Sequence, residues 1–258
     1  MDILDKSKIL EVKSIELKGI PCFYVKPHSN YYNGATIVYY HGWSSNKNNN
    51  LFLGKLLAFH GYGVILPDAI YHGDRNAIAN YNVDALRKYF WEVIFNSLEE
   101  YKGLISEGES LYEINKDRVA VMGSSMGGFI ESGIFADNVE IKCLVNMNGA
   151  CAWGEAEKIF RDIDKSGKGA ATLYQREKIK TYDPLGKREE LYPRPILMLH
   201  GDADTSVSID IQRHFYKEMK EVYRDEREKL VLNEIPRLNH YKTVNMMESS
   251  IEWLEKYL

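Results

Sequence analysis

The sequence predicts an α/β architecture, a mostly parallel, twisted sheet with helices on both faces. Three observations carry that prediction. Short apolar runs rich in Val, Ile and Leu alternate with helix-length amphipathic stretches along nearly the whole chain. The apolar runs lack clean polar–apolar alternation, which marks strands buried on both faces. Five of them end in Gly-rich or polar turns, and in such sheets ligands bind beyond the carboxyl ends of the strands.

Taken in order, Ile9 to Val25 reads as extended and antiparallel, with a turn at Gly19-Ile20-Pro21. Thr36 to Gly42 (TIVYYHG) is a β-branched and aromatic strand that stops at a glycine. A polar cap at Asn46 to Asn50 precedes a helix in LFLGKLLAFHGYG, and Tyr62 to Asp68 is the next strand. Asn82 to Ser106 is a long amphipathic helix. DRVAVMG, IKCLVNMNG, RPILMLHG and KLVLNEI supply four further strands. Helical patterns at Met126 to Ala136, Ile209 to Val222 and Thr243 to Leu258 lie between and after them. Residues 149–192 break the alternation, because they are too long for an ordinary crossover. Their helical patches at Gly154 to Asp164 and Ala170 to Lys180, separated by a Gly-rich break at Ser166 to Gly169, predict a small helical cap within a single domain spanning 1–258, the alternative being a longer crossover with no role in binding.

The chain has 258 residues, 33 Lys+Arg and 37 Asp+Glu, a formal net charge of −4. With 45 % hydrophobic and 27 % charged residues it is globular, not disordered. A near-neutral, slightly acidic chain has no global field for phosphates, so no nucleic-acid partner is expected. No run approaches the ~20 apolar residues of a membrane helix, and MDILDKSKILEVKS has neither an apolar core nor a cleavage pattern. Cys22, Cys143 and Cys151 are odd in number and lack CxxC spacing. The expectation is a cytoplasmic protein without a disulfide framework and without a membrane partner; association with further copies of the chain is left open.

The strand ends carry the chemistry. Gly123-Ser124-Ser125-Met126-Gly127 fits G-x-S-x-G, a weak pattern alone, but here a strand precedes it and a helix follows. That turn strains the serine backbone, exposes Oγ and aims free helix amides at a developing anion. A serine hydroxyl needs a general base, and the base needs an orienting carboxylate. In the order Ser, acid, His, Asp204 of His200-Gly201-Asp202-Ala203-Asp204 is the acid and His240 the base. Asp202 directly follows the glycine and is expected to brace the turn. His200 ends its own strand and precedes the acid, which makes it a poorer base, and His214 is placed on a helix surface. His41, His72, His200, Asp68 and Asp204 lack metal-ligand spacing, so neither metal nor cofactor is expected.

HGW at 41–43, GSSMGG at 123–128, LHGDAD at 199–204 and the turn at His240 together resemble the α/β-hydrolase fold. The closest likeness is to serine esterases of its prolyl-oligopeptidase-like and dienelactone-hydrolase-like branch, from about Gly19 to Leu258. The resemblance implies Ser125 as nucleophile, Asp204 as acid and His240 as base. It implies an oxyanion hole from the backbone N–H groups of Met126 and Trp43. HGWSS replaces the HGGG variant, so HGGG-type lipase specificity does not carry over. Trp43 either walls the acyl pocket or simply packs. His41 braces the oxyanion turn, and Asp68, His72 and Arg75 hold rim loops together. The charged, Gly-broken cap favours small or medium soluble esters. Peptidase or thioesterase action through the same triad, or a non-catalytic hydrolase-fold binding protein, are the alternatives.

Overall fold

The structure, a computed structural model, describes residues 9–163 and 171–258. The Gly-rich break predicted at 166–169 lies outside the described residues. Eight strands form one sheet: β1 (Leu10–Leu17), β2 (Ile20–Pro27), β3 (Thr36–Tyr40), β4 (Gly63–Pro67), β5 (Val119–Ser124), β6 (Cys143–Met147), β7 (Ile196–Gly201) and β8 (Leu230–Ile235). Their spatial order is β1-β2-β4-β3-β5-β6-β7-β8. β2 is antiparallel to both neighbours, and every pairing from β4 to β8 is parallel. The helices are α1 (Leu51–Phe59), α2 (Val83–Tyr112), α3 (Met126–Asp137), α4 (Trp153–Ile163), α5 (Leu173–Tyr182), α6 (Arg188–Leu191), α7 (Asp210–Met219) and α8 (Val244–Tyr257).

Strand side chains alternate between faces, and each face is covered. Ile37, Tyr39, Ala120 and Met122 pack with Leu57 of α1 and Leu254 of α8. Val38, Tyr40, Val121 and Leu144 pack with Ile94 of α2, Phe129 of α3 and Phe215 of α7. This doubly buried sheet is why its strands read as continuous apolar runs.

Two of the boundaries that differ from expectation have a clear structural cause. The first hairpin turns at Lys18 and Gly19, both at positive φ (52° and 77°), and Ile20-Pro21 already belongs to β2. A two-residue turn of this hand matches the twist of the flanking strands. Helix α2 runs past Ser106 to Tyr112, because Glu113 caps it in the left-handed conformation with its N–H on Gly108 O.

The parallel register aligns the strand ends. Tyr40 lies opposite Gly123, Ser124 opposite Met147, Met147 opposite Leu199, and Gly201 opposite Ile235. The loops after β3, β5, β7 and β8 therefore emerge at one edge.

Candidate active site

Ser125 sits between β5 and α3 with φ 57° and ψ −122°. Positive φ is strained for a residue with a side chain. The neighbouring glycines allow the turn. A Cβ at Gly127 would lie 2.0 Å from Tyr40 O, and one at Gly123 would lie 2.4 Å from Gly127 O. Ser125 N donates to Met147 O at 2.9 Å, anchoring the elbow to β6. Among the described residues Ser125 Oγ has no hydrogen-bond partner, so the hydroxyl is free to turn. Met126 is the first residue of α3, so its N–H has no acceptor within the helix.

The loop after β3 approaches the same point. A Cβ on Gly42 would lie 3.8 Å from Ser125 Oγ. The Gly42 carbonyl accepts from Ser45 N at 3.2 Å and from His41 Nδ1 at 2.9 Å. Carbonyl and N–H of a trans peptide point in opposite directions, so these bonds also set the direction of the Trp43 N–H. His41 is buried, and its Nε2 accepts from Ala69 N at 3.1 Å. One ring nitrogen donates and the other accepts, which describes a neutral imidazole. Burial lowers its pKa to about 4, although the Gly42 bond favours the charged form.

Asp204 and His240 come together from the loops after β7 and β8. His240 Nδ1 lies 2.7 Å from Asp204 Oδ2. Asp204 Oδ1 accepts the N–H groups of Ser206 at 2.8 Å and Val207 at 2.9 Å. Burial raises the Asp204 pKa, but the bonds from His200, His240 and Val207 outweigh it and hold the carboxyl far below the usual range. Asp202 accepts from Arg237 N at 2.5 Å and so braces the turn, as expected. His214, expected on a helix surface, is half-buried on α7.

Ser125 and His240 line one cleft of about 540 Å³. Trp43, Leu86, Phe90, Trp91 and Phe160 form its apolar wall, with Thr205 to Val207 beside the acid. Glu157 and Phe160 of α4, and Ala171, also line it. Glu157 ties this segment down by accepting from Trp91 Nε1 at 3.2 Å and Ala171 N at 2.8 Å. Trp43 does both things expected of it: its indole lines the cleft and packs edge-on against His72, Tyr81 and Phe90.

The rim loops are held as expected. Asp68 accepts from Lys47 N at 2.8 Å, Lys47 Nζ at 2.5 Å and Asp74 N at 3.0 Å. Arg75 forms a two-pronged pair with Glu100 at 2.6 and 2.9 Å. His72 lies 2.9 Å from Ile70 O through Nδ1. Sequence reasoning missed three residues here. Lys47 is buried between Asp68 and Asp74. Asn148 joins the ends of two loops through Gly201 N and Tyr241 O. Glu157 is the third, and a carboxylate on an amphipathic helix carries no local sign that it will be buried.

An eight-stranded, mostly parallel sheet with a strained serine at a strand–helix turn defines a serine hydrolase of the α/β-hydrolase fold. The chain belongs to the prolyl oligopeptidase family, which it matches over residues 98–258. That span contains Ser125, Asp204 and His240, and Trp43 precedes it. YitV of Bacillus subtilis (strain 168) is 28 % identical over 97 % of this chain and 100 % of its own length. Esterase YjfP of Escherichia coli (strain K12) is 27 % identical over 97 % of this chain and 100 % of its own. The crystal structure of TT1662 from Thermus thermophilus shares the fold, with a TM-score of 0.76 at 18 % identity, covering 96 % of this chain and 97 % of that one.

Proposed function

We propose that the protein hydrolyses carboxylic esters of small or medium size through an acyl-enzyme on Ser125. The observation that carries this reading is the 2.7 Å bond between His240 and Asp204 at a cleft that Ser125 also lines. His240 takes the Ser125 proton as Oγ attacks the ester carbonyl. The N–H groups of Trp43 and Met126 receive the oxyanion, a contribution of ~3 kcal/mol per donor in such sites. The tetrahedral carbon then expels the alcohol, which takes the proton from His240. Water adds to the acyl group with the same proton path and releases the acid, restoring Ser125. Asp204 holds the His240 tautomer and stays ionised.

The walls support a compact substrate. A cleft of about 540 Å³ suits a compact ligand. The described residues of the 149–192 stretch act as a cap over it, a role supported by Glu157, Phe160 and Ala171 on its lining. The likeness to Esterase YjfP along nearly the whole chain supports ester over amide substrates. No helix among the described residues is long and apolar enough to cross a membrane. The three free, buried cysteines support a reducing, cytoplasmic setting.

The test is turnover of short-chain p-nitrophenyl esters. Ser125→Ala and pretreatment with a serine-directed phosphonate are each expected to abolish it. Retained turnover in a folded Ser125→Ala protein overturns the mechanism. The family match supports peptide bonds as a second class, and a peptide p-nitroanilide run beside the ester decides between them.

A further inference from the structure

Asp204 is held by more than the base it faces. His200, wholly buried at the end of β7, places Nε2 3.2 Å from Asp204 Oδ2, the oxygen that His240 also engages. The same nitrogen lies 2.9 Å from Val207 O. Both neighbours are acceptors, so Nε2 must carry the proton. Nδ1 is buried and has no partner among the described residues. A second proton there would create a buried charge and an unsatisfied donor together. These contacts therefore fix His200 as the Nε2–H tautomer.

We propose that His200 is a positioning residue for the Ser125 reaction, a second imidazole that shares its N–H between Val207 O and Asp204 Oδ2 and fixes the carboxylate for His240. This rests on the triad reading. Two consequences follow. Oδ1 already receives two backbone N–H groups, so the His200 bond occupies the remaining site on the carboxylate and stops it rotating. The His200 N–H also draws on the electron density of the oxygen that stabilises the His240 imidazolium. Among the described residues, the charges near His200 include Glu234, its register partner on β8, and Arg213 of α7, which pairs with Glu234 at 2.6 Å and with Asp210 at 2.9 Å.

The experiment compares wild type with His200→Leu, which removes the donor, and His200→Gln, whose amide nitrogen can occupy the Nε2 position. For the Leu variant, kcat on a p-nitrophenyl ester is expected to fall about 10- to 100-fold with little change in KM. Gln is expected to recover kcat. A Leu variant with wild-type kcat overturns the proposal. So does a loss that appears in KM instead of kcat, or an effect that Gln does not repair. Should neither variant fold, imidazole 15N shifts of the wild-type protein decide. A protonated Nε2 on His200 across the neutral range supports the proposal; a protonated Nδ1 overturns it. That measurement needs no turnover, so it stands apart from the Ser125→Ala test of the triad.

Discussion

At Asp204 every neighbour offers a proton. Two backbone N–H groups face Oδ1, and two imidazoles face Oδ2. An amide cannot satisfy this set, because its NH2 must meet either the backbone donors or the imidazoles. Asp204→Asn is therefore expected to lower kcat by about 10³–10⁴-fold while the protein still folds, checked by steady-state kinetics beside circular dichroism. Activity within tenfold of wild type would remove Asp204 from the mechanism. Ser125, Asp204 and His240 were legible in the sequence because chain order and strand-end position carry them. Asp202 was separable from Asp204 because it follows the glycine directly. The sequence marks His200 only as a poorer base. Its contact with Asp204 depends on how the 201–207 loop folds back over β7, which residue spacing does not reveal. Lys47 was invisible for a related reason, since its acidic partners come from another loop.

Helix α3 carries a burden that its sequence hides. Glu131 is wholly buried against the elbow: a Cβ on Gly123 would lie 2.5 Å from its Oε2. Neither carboxyl oxygen has a hydrogen-bond partner among the described residues. Burial raises its pKa well above the usual 4.5, although Asn146 pulls the other way. The folded state thus keeps a proton that the unfolded chain releases above about pH 4.5, and stability is lost as pH rises from there. Gln does not titrate. Glu131→Gln is expected to match wild type near pH 4.5 and to be the more stable protein at pH 8, read from urea midpoints at both values. A constant difference between the two would show that Glu131 keeps its charge when folded. The core strands and most helices were legible because doubly buried runs and helical periodicity are local signals. The sequence places the first turn at Gly19-Ile20-Pro21, yet Lys18 and Gly19 supply the positive φ values the hairpin needs. Helix α2 runs past the Ser106 end that its amphipathic pattern predicts, and Gly108 lies inside it as a contact point, where a Cβ would meet Ile114 Cδ1 at 2.7 Å.

For the whole molecule, the sheet separates two apolar cores, and the loops at its edge are joined by buried polar groups instead. His41 is one of these, and it links the loops after β3 and β4 through Gly42 O and Ala69 N. Its folded pKa, lowered by burial to about 4, lies below the ordinary 6.5. Between those values the unfolded chain binds a proton that the folded one refuses, so folding is favoured less as pH falls. The contribution is complete above about pH 6.5 and is lost by about pH 4, at most about 3 kcal/mol. Burial lowers the His72 pKa too, adding to the same trend. Asp204 acts at lower pH: its carboxyl is held below the ordinary 3.8, so its contribution declines only as acidity passes that point. His41→Asn separates these effects. Its amide can still donate to Gly42 O but leaves Ala69 N without an acceptor. The plateau near neutral pH is expected to drop by about 1–3 kcal/mol, and the decline between about pH 6.5 and about 4 should become shallower. Urea unfolding of both proteins at half-unit pH steps measures plateau and slope separately. A parallel pair of curves would assign the acid sensitivity to groups other than His41.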